Sequence, residues 1–189
     1  MSLQTWQETI TSQVASGTLF NTYTTAKSVI NPTALVSLPP NYLVLGKQLR
    51  VKVSGGISNV VTSQRTFTFQ VMLGTVVAHT SGAITTTTTA HTLIPFDYTV
   101  DLRVSAVGSG TSATLIGQGV LVGQMWVYSG ATADSVLGNA TILCPNTAPA
   151  AGTGFDSTIA NVLDFWVGLS ASEATTGIQI YQYYVEALN

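Results

Sequence analysis

The sequence predicts an all-β chain: an antiparallel, jelly-roll-like β-sandwich with a short N-terminal helical segment or arm. Three observations carry that expectation. Apolar residues recur at every second position through many short stretches, and clusters of Gly, Pro, Asn and Ser separate them. Of 189 residues, 29 are threonine, a β-branched side chain suited to a pleated surface. Charge is scarce: six basic and eight acidic side chains make 7% of the chain, against roughly a quarter in ordinary soluble domains. A surface made of Thr, Ser, Asn, Gln and Gly does little to repel another copy, so a packing unit is expected in preference to an enzyme.

Residues 1–16 differ from the rest. Leu3, Trp6, Ile10 and Val14 recur at helical spacing, and Thr5 with Glu8 has the form of a capping box. So short a helix is marginal alone in water. Its apolar stripe is therefore expected to dock, either on the sandwich or on a neighbouring subunit. Residues 17–189 are expected to form one domain, since all-β sandwiches of this length stay undivided.

Within that domain the alternation is explicit. Leu49, Val51 and Val53 alternate with Arg50 and Lys52; Phe67, Phe69, Val71 and Leu73 alternate with Thr66, Thr68, Gln70 and Met72. Tyr98, Val100, Leu102, Val104 and Ala106 alternate with Thr99, Asp101, Arg103 and Ser105, and Leu163, Phe165, Val167 and Leu169 with Asp164, Trp166 and Gly168. Further strands are expected at 18–25, 34–37, 75–80 and 118–128. In the last strand the phase slips. Ile178 and Ile180 point one way, then Tyr183, Val185 and Ala187 take the inward role, which predicts a bulge near Tyr181 and Gln182. Turns are expected at Pro39-Pro40-Asn41, Ser54-Gly55-Gly56, Ser81-Gly82, Gly108-Ser109-Gly110 and Ser129-Gly130. Long connections at 85–93 and 134–156 favour a jelly roll over a simple meander.

Signatures of chemistry are sparse. The net charge of −2 and the scattered basic residues leave no electrostatic footprint for nucleic acid or an anionic membrane. The most apolar window, 115–128, is broken by Gly117, Gln118, Gly119, Gly123 and Gln124, so no spanning helix is expected. The opening residues lack a basic and then apolar leader pattern, so no secretory signal is expected. Cys144, the single cysteine, permits no internal disulfide and reads as a small buried residue. His79 and His91 lack metal-ligand spacing and read as loop or strand-end residues. Gly108-Ser109-Gly110 formally begins a dinucleotide-binding fingerprint, but strand-like sequence follows it and a hairpin turn fits better. Asp97, Asp101 and Arg103 read as a solvated sheet face with one ion pair, and a loop cation site near Asp156 and Asp164 is the weaker alternative to ordinary loop carboxylates. No catalytic residue, metal ligand or cofactor site is expected. The tyrosines are more suggestive, because Tyr181, Tyr183 and Tyr184 put aromatic rings on both faces of one strand. The outward ones are expected to touch another subunit or a ligand. The candidate interaction residues are thus Leu3, Trp6, Ile10, Tyr181 and Tyr184.

Four stretches together resemble a family of small virion structural proteins of tailed bacteriophages. They are Met1-Ser2-Leu3-Gln4-Thr5-Trp6-Gln7-Glu8, then 107–115 (Val-Gly-Ser-Gly-Thr-Ser-Ala-Thr-Leu), 148–158 (Ala-Pro-Ala-Ala-Gly-Thr-Gly-Phe-Asp-Ser-Thr), and the ending Gln182-Tyr183-Tyr184-Val185-Glu186-Ala187-Leu188-Asn189. These are turn and strand sequences, so they specify a family better than a task. The resemblance implies a jelly-roll homotrimer that decorates or cements the head shell, with the major capsid protein as partner. It further implies assembly in the host cytoplasm and residence on the capsid surface. The alternative is a tail-tip or fibre component that binds a host receptor or glycan, with Trp126, Trp166 or the tyrosines stacking on sugar rings. A glycan-active enzyme would need a pair of carboxylates across a cleft, and eight acidic residues are a small pool for one.

Overall fold

Alternation of apolar and polar residues turns into two antiparallel sheets packed face to face. The computed structural model describes residues 7–59, 63–124, 126–127, 140–145 and 147–188. The first sheet is built on β5 (Gln48–Asn59), β8 (His91–Ala106), β9 (Thr114–Gly123), β11 (Ala140–Cys144) and β13 (Thr176–Leu188), with β1 (Gln7–Ser12) at one end and β2 (Phe20–Asn21) beside β13. Its order is β1-β13-β5-β8-β9-β11. The second sheet contains β6 (Thr66–Leu73), β7 (Val76–Thr86) and β12 (Asn161–Leu169), flanked by β10 (Trp126–Val127), β3 (Lys27–Ser28) and β4 (Val36–Leu38). Its order is β10-β7-β6-β12-β3, with β4 also on β12. The last two long strands thus lie beside the first two, β13 on β5 and β12 on β6. That doubling back is the wrapping of a jelly-roll-like sandwich.

The inward residues are those the period-two pattern selects. Leu49, Val51 and Val53 of β5, Phe67, Phe69 and Val71 of β6, Tyr98, Val100 and Leu102 of β8, and Leu163, Phe165 and Val167 of β12 are all buried. Phe69 is the hub of the aromatic core. Its ring stacks at 5.3 Å on Tyr98 and at 5.9 Å on Phe96 and Phe165, and meets Trp126 edge-on at 6.0 Å. Trp126 is fully buried there, so it is core and not a surface platform.

Several expectations are corrected. Residues 7–12 form a strand, not a helix, bonded antiparallel to the C-terminal half of β13. Ile10 is the extra residue of a bulge between Thr9 and Thr11 and packs half-buried on the core, whereas Val14 is 82% exposed. The helical spacing never becomes one apolar face, and pairing with β13 supplies backbone hydrogen bonds that so short a helix could not keep. Leu3 and Trp6 lie outside the described residues.

Ser54-Gly55-Gly56 is strand interior, not a turn, because these residues pair with β13 on one side and β8 on the other. Ser81-Gly82 lies inside β7, where the register slips and the Ser81 hydroxyl accepts from the Phe69 N–H at 2.9 Å. The connection expected at 85–93 shrinks to 87–90, since the threonines before it extend β7 through Thr86. The expected strands 18–25 and 34–37 reduce to β2 and β4, with a short 3-10 turn at Pro32–Ala34.

Two stretches that carry the family resemblance meet in space. The β8–β9 hairpin turn is at Gly108-Ser109-Gly110, as the sequence predicts, and the segment after β11 folds onto it. Ala113 and Phe155 exchange backbone hydrogen bonds at 3.0 and 2.9 Å, and Asp156 Oδ2 accepts from the Gly110 N–H at 2.8 Å. A methyl carbon at Gly154 would stand 2.0 Å from the Thr111 carbonyl oxygen. Only glycine allows that approach.

Candidate interaction surface

The outward residues of the first sheet form rows fixed by strand register. One row runs Ser12, Tyr184, Lys52, Thr99, Val120, Leu143 from β1 to β11. The next runs Gln182, Ser54, Asp97, Val122, Thr141, and another runs Glu186, Arg50, Asp101, Gln118. Charge on these rows lies on β13, β5 and β8. Arg50 grips Asp101 through two bonds, Nε to Oδ1 at 2.7 Å and Nη2 to Oδ2 at 3.0 Å. The expected ion pair therefore forms across the strands with Arg50 and not along β8 with Arg103. The Ser54 hydroxyl donates to Asp97. Toward β9 and β11 the face loses charge, and Val120 and Leu143 stand side by side, Leu143 being 57% exposed.

Tyr184 and Tyr181 both reach this outer side. Lys52 Nζ lies 5.8 Å from the centre of the Tyr184 ring, so that tyrosine is engaged within its own row. Tyr181 is the extra residue of the bulge that the phase slip predicts: Ile180 pairs with Gly55 and Gln182 with Ser54. The bulge leaves Tyr181 and Gln182 exposed together and returns Tyr183 to the core.

A second bulge lies across β5 from the first. Asn59 pairs with His91 and Ile57 with Ile94, so Thr92 and Leu93 of β8 oppose the single Ser58 of β5. Leu93 adopts φ +48°, a left-handed conformation that costs a leucine of order 1–3 kcal/mol. Its N–H is held by the Ser58 hydroxyl at 2.9 Å. The Leu93 and Tyr181 side chains come together over Gly56. A methyl carbon there would stand 3.1 Å from the Tyr181 hydroxyl and 3.3 Å from Leu93 Cδ2.

Beside this pair opens a groove of about 270 Å³, lined by Leu19, Asn21, Ser58, Leu93, Gly177 and Gln179 among others. None of its lining residues is charged. A polar network braces its far wall. The buried Asn59 amide donates to Thr86 Oγ1 at 3.1 Å and to the Thr87 carbonyl at 3.2 Å. The Thr176 hydroxyl lies 3.1 Å from both the Asn59 amide oxygen and Glu173 Oε2, and Arg65 holds Glu173 through Nε at 3.0 Å. The same Arg65 pulls the Glu173 carboxyl below its ordinary range. Leu93 and Asn59 escape a reading of the sequence, because nothing in their neighbours marks a slipped register. The adjacent Gly55-Gly56 was the available signal.

The remaining chemical groups are internally committed. Burial holds the His79 imidazole down to about 4, with Nε2 3.2 Å from the Tyr98 hydroxyl in the interior of β7. It is a core residue and not the loop or strand-end histidine expected, whereas His91 opens β8. Burial pushes the Cys144 thiol up to about 12, so no thiolate nucleophile exists near neutral pH. Asp156 accepts from the Thr158 hydroxyl and from the Gly110 N–H, which lowers its pKa, while Asp164 accepts from the Ser28 hydroxyl at 2.8 Å and the Trp166 indole at 2.6 Å. The two carboxylates serve different neighbours. Among the described residues no group of three or more His, Cys, Asp and Glu side chains gathers to hold a metal.

No protein-family model matches the chain, and no curated protein matches it. Among solved structures, the CBM2 module of the evolved Dit of Lactobacillus casei BL23 phage J-1 is similar at 10% identity and a TM-score of 0.40, over 99% of this chain and 98% of that one. A likeness at that level fixes neither fold family nor function.

Proposed function

We propose that this chain is a non-enzymatic structural protein of a tailed-bacteriophage virion, a homotrimer that packs on the head shell and stabilises it. The observation that carries this reading is the outer face of the first sheet, where charge gives way to the exposed Val120–Leu143 pair at the β11 side. The uncharged β9–β11 side of that face, with Val120 and Leu143 exposed, suits contact with protein. Symmetry then multiplies modest contacts through avidity. The four stretches of family resemblance support the same assignment, and two of them build one shared loop structure. Particles lacking the protein should lose resistance to heat and osmotic shock. Unchanged resistance would remove the cementing role.

A second reading places the chain on the tail, binding a host receptor. The uncharged groove lined by Leu93, next to the exposed Tyr181 over Gly56, is the observation in its favour. Imaging of whole particles separates the two positions.

A further inference from the structure

The two bulges that flank β5 converge on one place. On β13 the bulge presents Tyr181, 43% exposed. On β8 it forces Leu93 into a left-handed backbone conformation and turns it toward the same glycine. Bulges gather where a strand must re-aim a side chain, and strained backbone gathers at binding sites. Leu93 lines the groove, and Tyr181 stands next to Leu93 over Gly56.

The lining narrows the occupant. An anionic or cationic ligand would meet no counter-charge, because the groove contains none. The exposed lining is mostly apolar, which suits the C–H face of a sugar, and the amides of Asn21 and Gln179 and the hydroxyls of Ser58, Thr92 and Thr175 supply its polar part. Asn21 donates its NH2 to the Ala174 carbonyl at 3.2 Å, and Gln179 donates to the Gly17 carbonyl at 3.3 Å. Those bonds fix both side chains and leave each amide oxygen as an acceptor for a ligand hydroxyl. The volume, about 270 Å³, is near the small end of ligand pockets, about 300–1,000 Å³.

We propose that the groove beside the Tyr181–Leu93 pair binds one residue of a neutral glycan. The Tyr181 ring stacks on the apolar face of the sugar, and Asn21, Gln179 and the groove hydroxyls bond its hydroxyl groups. The proposal rests on the receptor-binding reading only for its biological use. Binding is measured on the isolated chain and position on the particle by imaging, so each can fail while the other stands.

The test is amide-resonance titration of the isotope-labelled full chain with glucose, galactose, N-acetylglucosamine and rhamnose, each at millimolar concentration. The expected result is saturable shifts at Asn21, Ser58, Leu93, Gly177 and Gln179 with at least one of these sugars. Tyr181→Ala should weaken that binding by about tenfold, Tyr181→Phe should retain it, and Tyr184→Ala should leave it unchanged. No saturable shift with any of the four sugars overturns the proposal. So does a shift of the same resonances with protein concentration alone, which would make the groove a contact between copies of the chain.

Discussion

The Tyr181 ring lies over Gly56, sharing that position with Leu93, while the adjacent Gly55 is pressed against the backbone of β13. The two glycines are therefore unequal. At Gly55 a methyl carbon would stand 2.3 Å from the Gln179 carbonyl oxygen, and that backbone is fixed by pairing. At Gly56 it would meet only the ends of two exposed side chains. Gly55→Ala is expected to cost about 2–4 kcal/mol and Gly56→Ala less than about 1 kcal/mol. Equal losses in urea unfolding would refute this account of the pair.

The loop junction gives a parallel case. Gly154→Ala should lower stability by about 2–3 kcal/mol, because Thr111 belongs to the β8–β9 turn and cannot retreat without breaking the Ala113–Phe155 bonds. Thermal melts of the variant check this, and an unshifted midpoint would be the contrary result.

The polar brace behind the groove makes a further prediction. Asn59→Leu removes the amide that bonds Thr86 and Thr87 and faces Thr176. Those buried groups are then left without it, at a cost of about 2–4 kcal/mol. The amides of residues 174–177 should also exchange hydrogen faster than in the parent chain. A loss confined to global stability, with no local change in exchange, would argue against the brace.

His79 sets a pH window. Its folded pKa is about 4 against an ordinary 6.5, so the unfolded chain takes up a proton first as pH falls. Stability is fully present above about pH 6.5, declines toward pH 4 and levels off below, by up to about 3 kcal/mol from this group. The lowered carboxyls of Asp156 and Glu173 act in a more acidic range, since their stabilisation is lost only as pH falls through values below the usual carboxylate pKa. His79→Gln should therefore flatten the decline between pH 6.5 and 4.5, which calorimetry at the two pH values would read. An equally steep decline in the variant would clear His79 of the effect.

Self-association is expected through the uncharged side of the sheet. Val120→Lys combined with Leu143→Lys places two cations on neighbouring exposed positions, where like charges repel. Light scattering should find trimers for the parent chain and monomers for the variant, with the monomer's own fold changed by less than about 1 kcal/mol. A parent chain that is monomeric would end the trimer proposal.

What the sequence discloses follows from how each residue is constrained. Strands buried on one face, such as β5, β6, β8 and β12, reveal themselves because every second residue must leave water. The Tyr181 bulge was legible for the same reason, since a bulge shifts that rhythm by one. Residues 7–12 do not show themselves as a strand, because Ile10 and Val14 are spaced like a helix while the constraint on β1 is edge pairing with β13, which leaves no apolar period. Gly55-Gly56 and Ser81-Gly82 look like turns in sequence because small residues mark either a reversal of the chain or a close approach, and only the neighbouring strand decides between them. The groove was hidden in the same way. Its walls come from four separated segments, brought together by register and not by any local pattern.

The proposed place of this sandwich is the head shell of a virion. Three-dimensional reconstruction of whole particles tests it most directly. Threefold density of this sandwich is expected on the head shell, with the outer face of the first sheet at a protein contact. Density for the sandwich at the tail tip, or none on the particle, would contradict it.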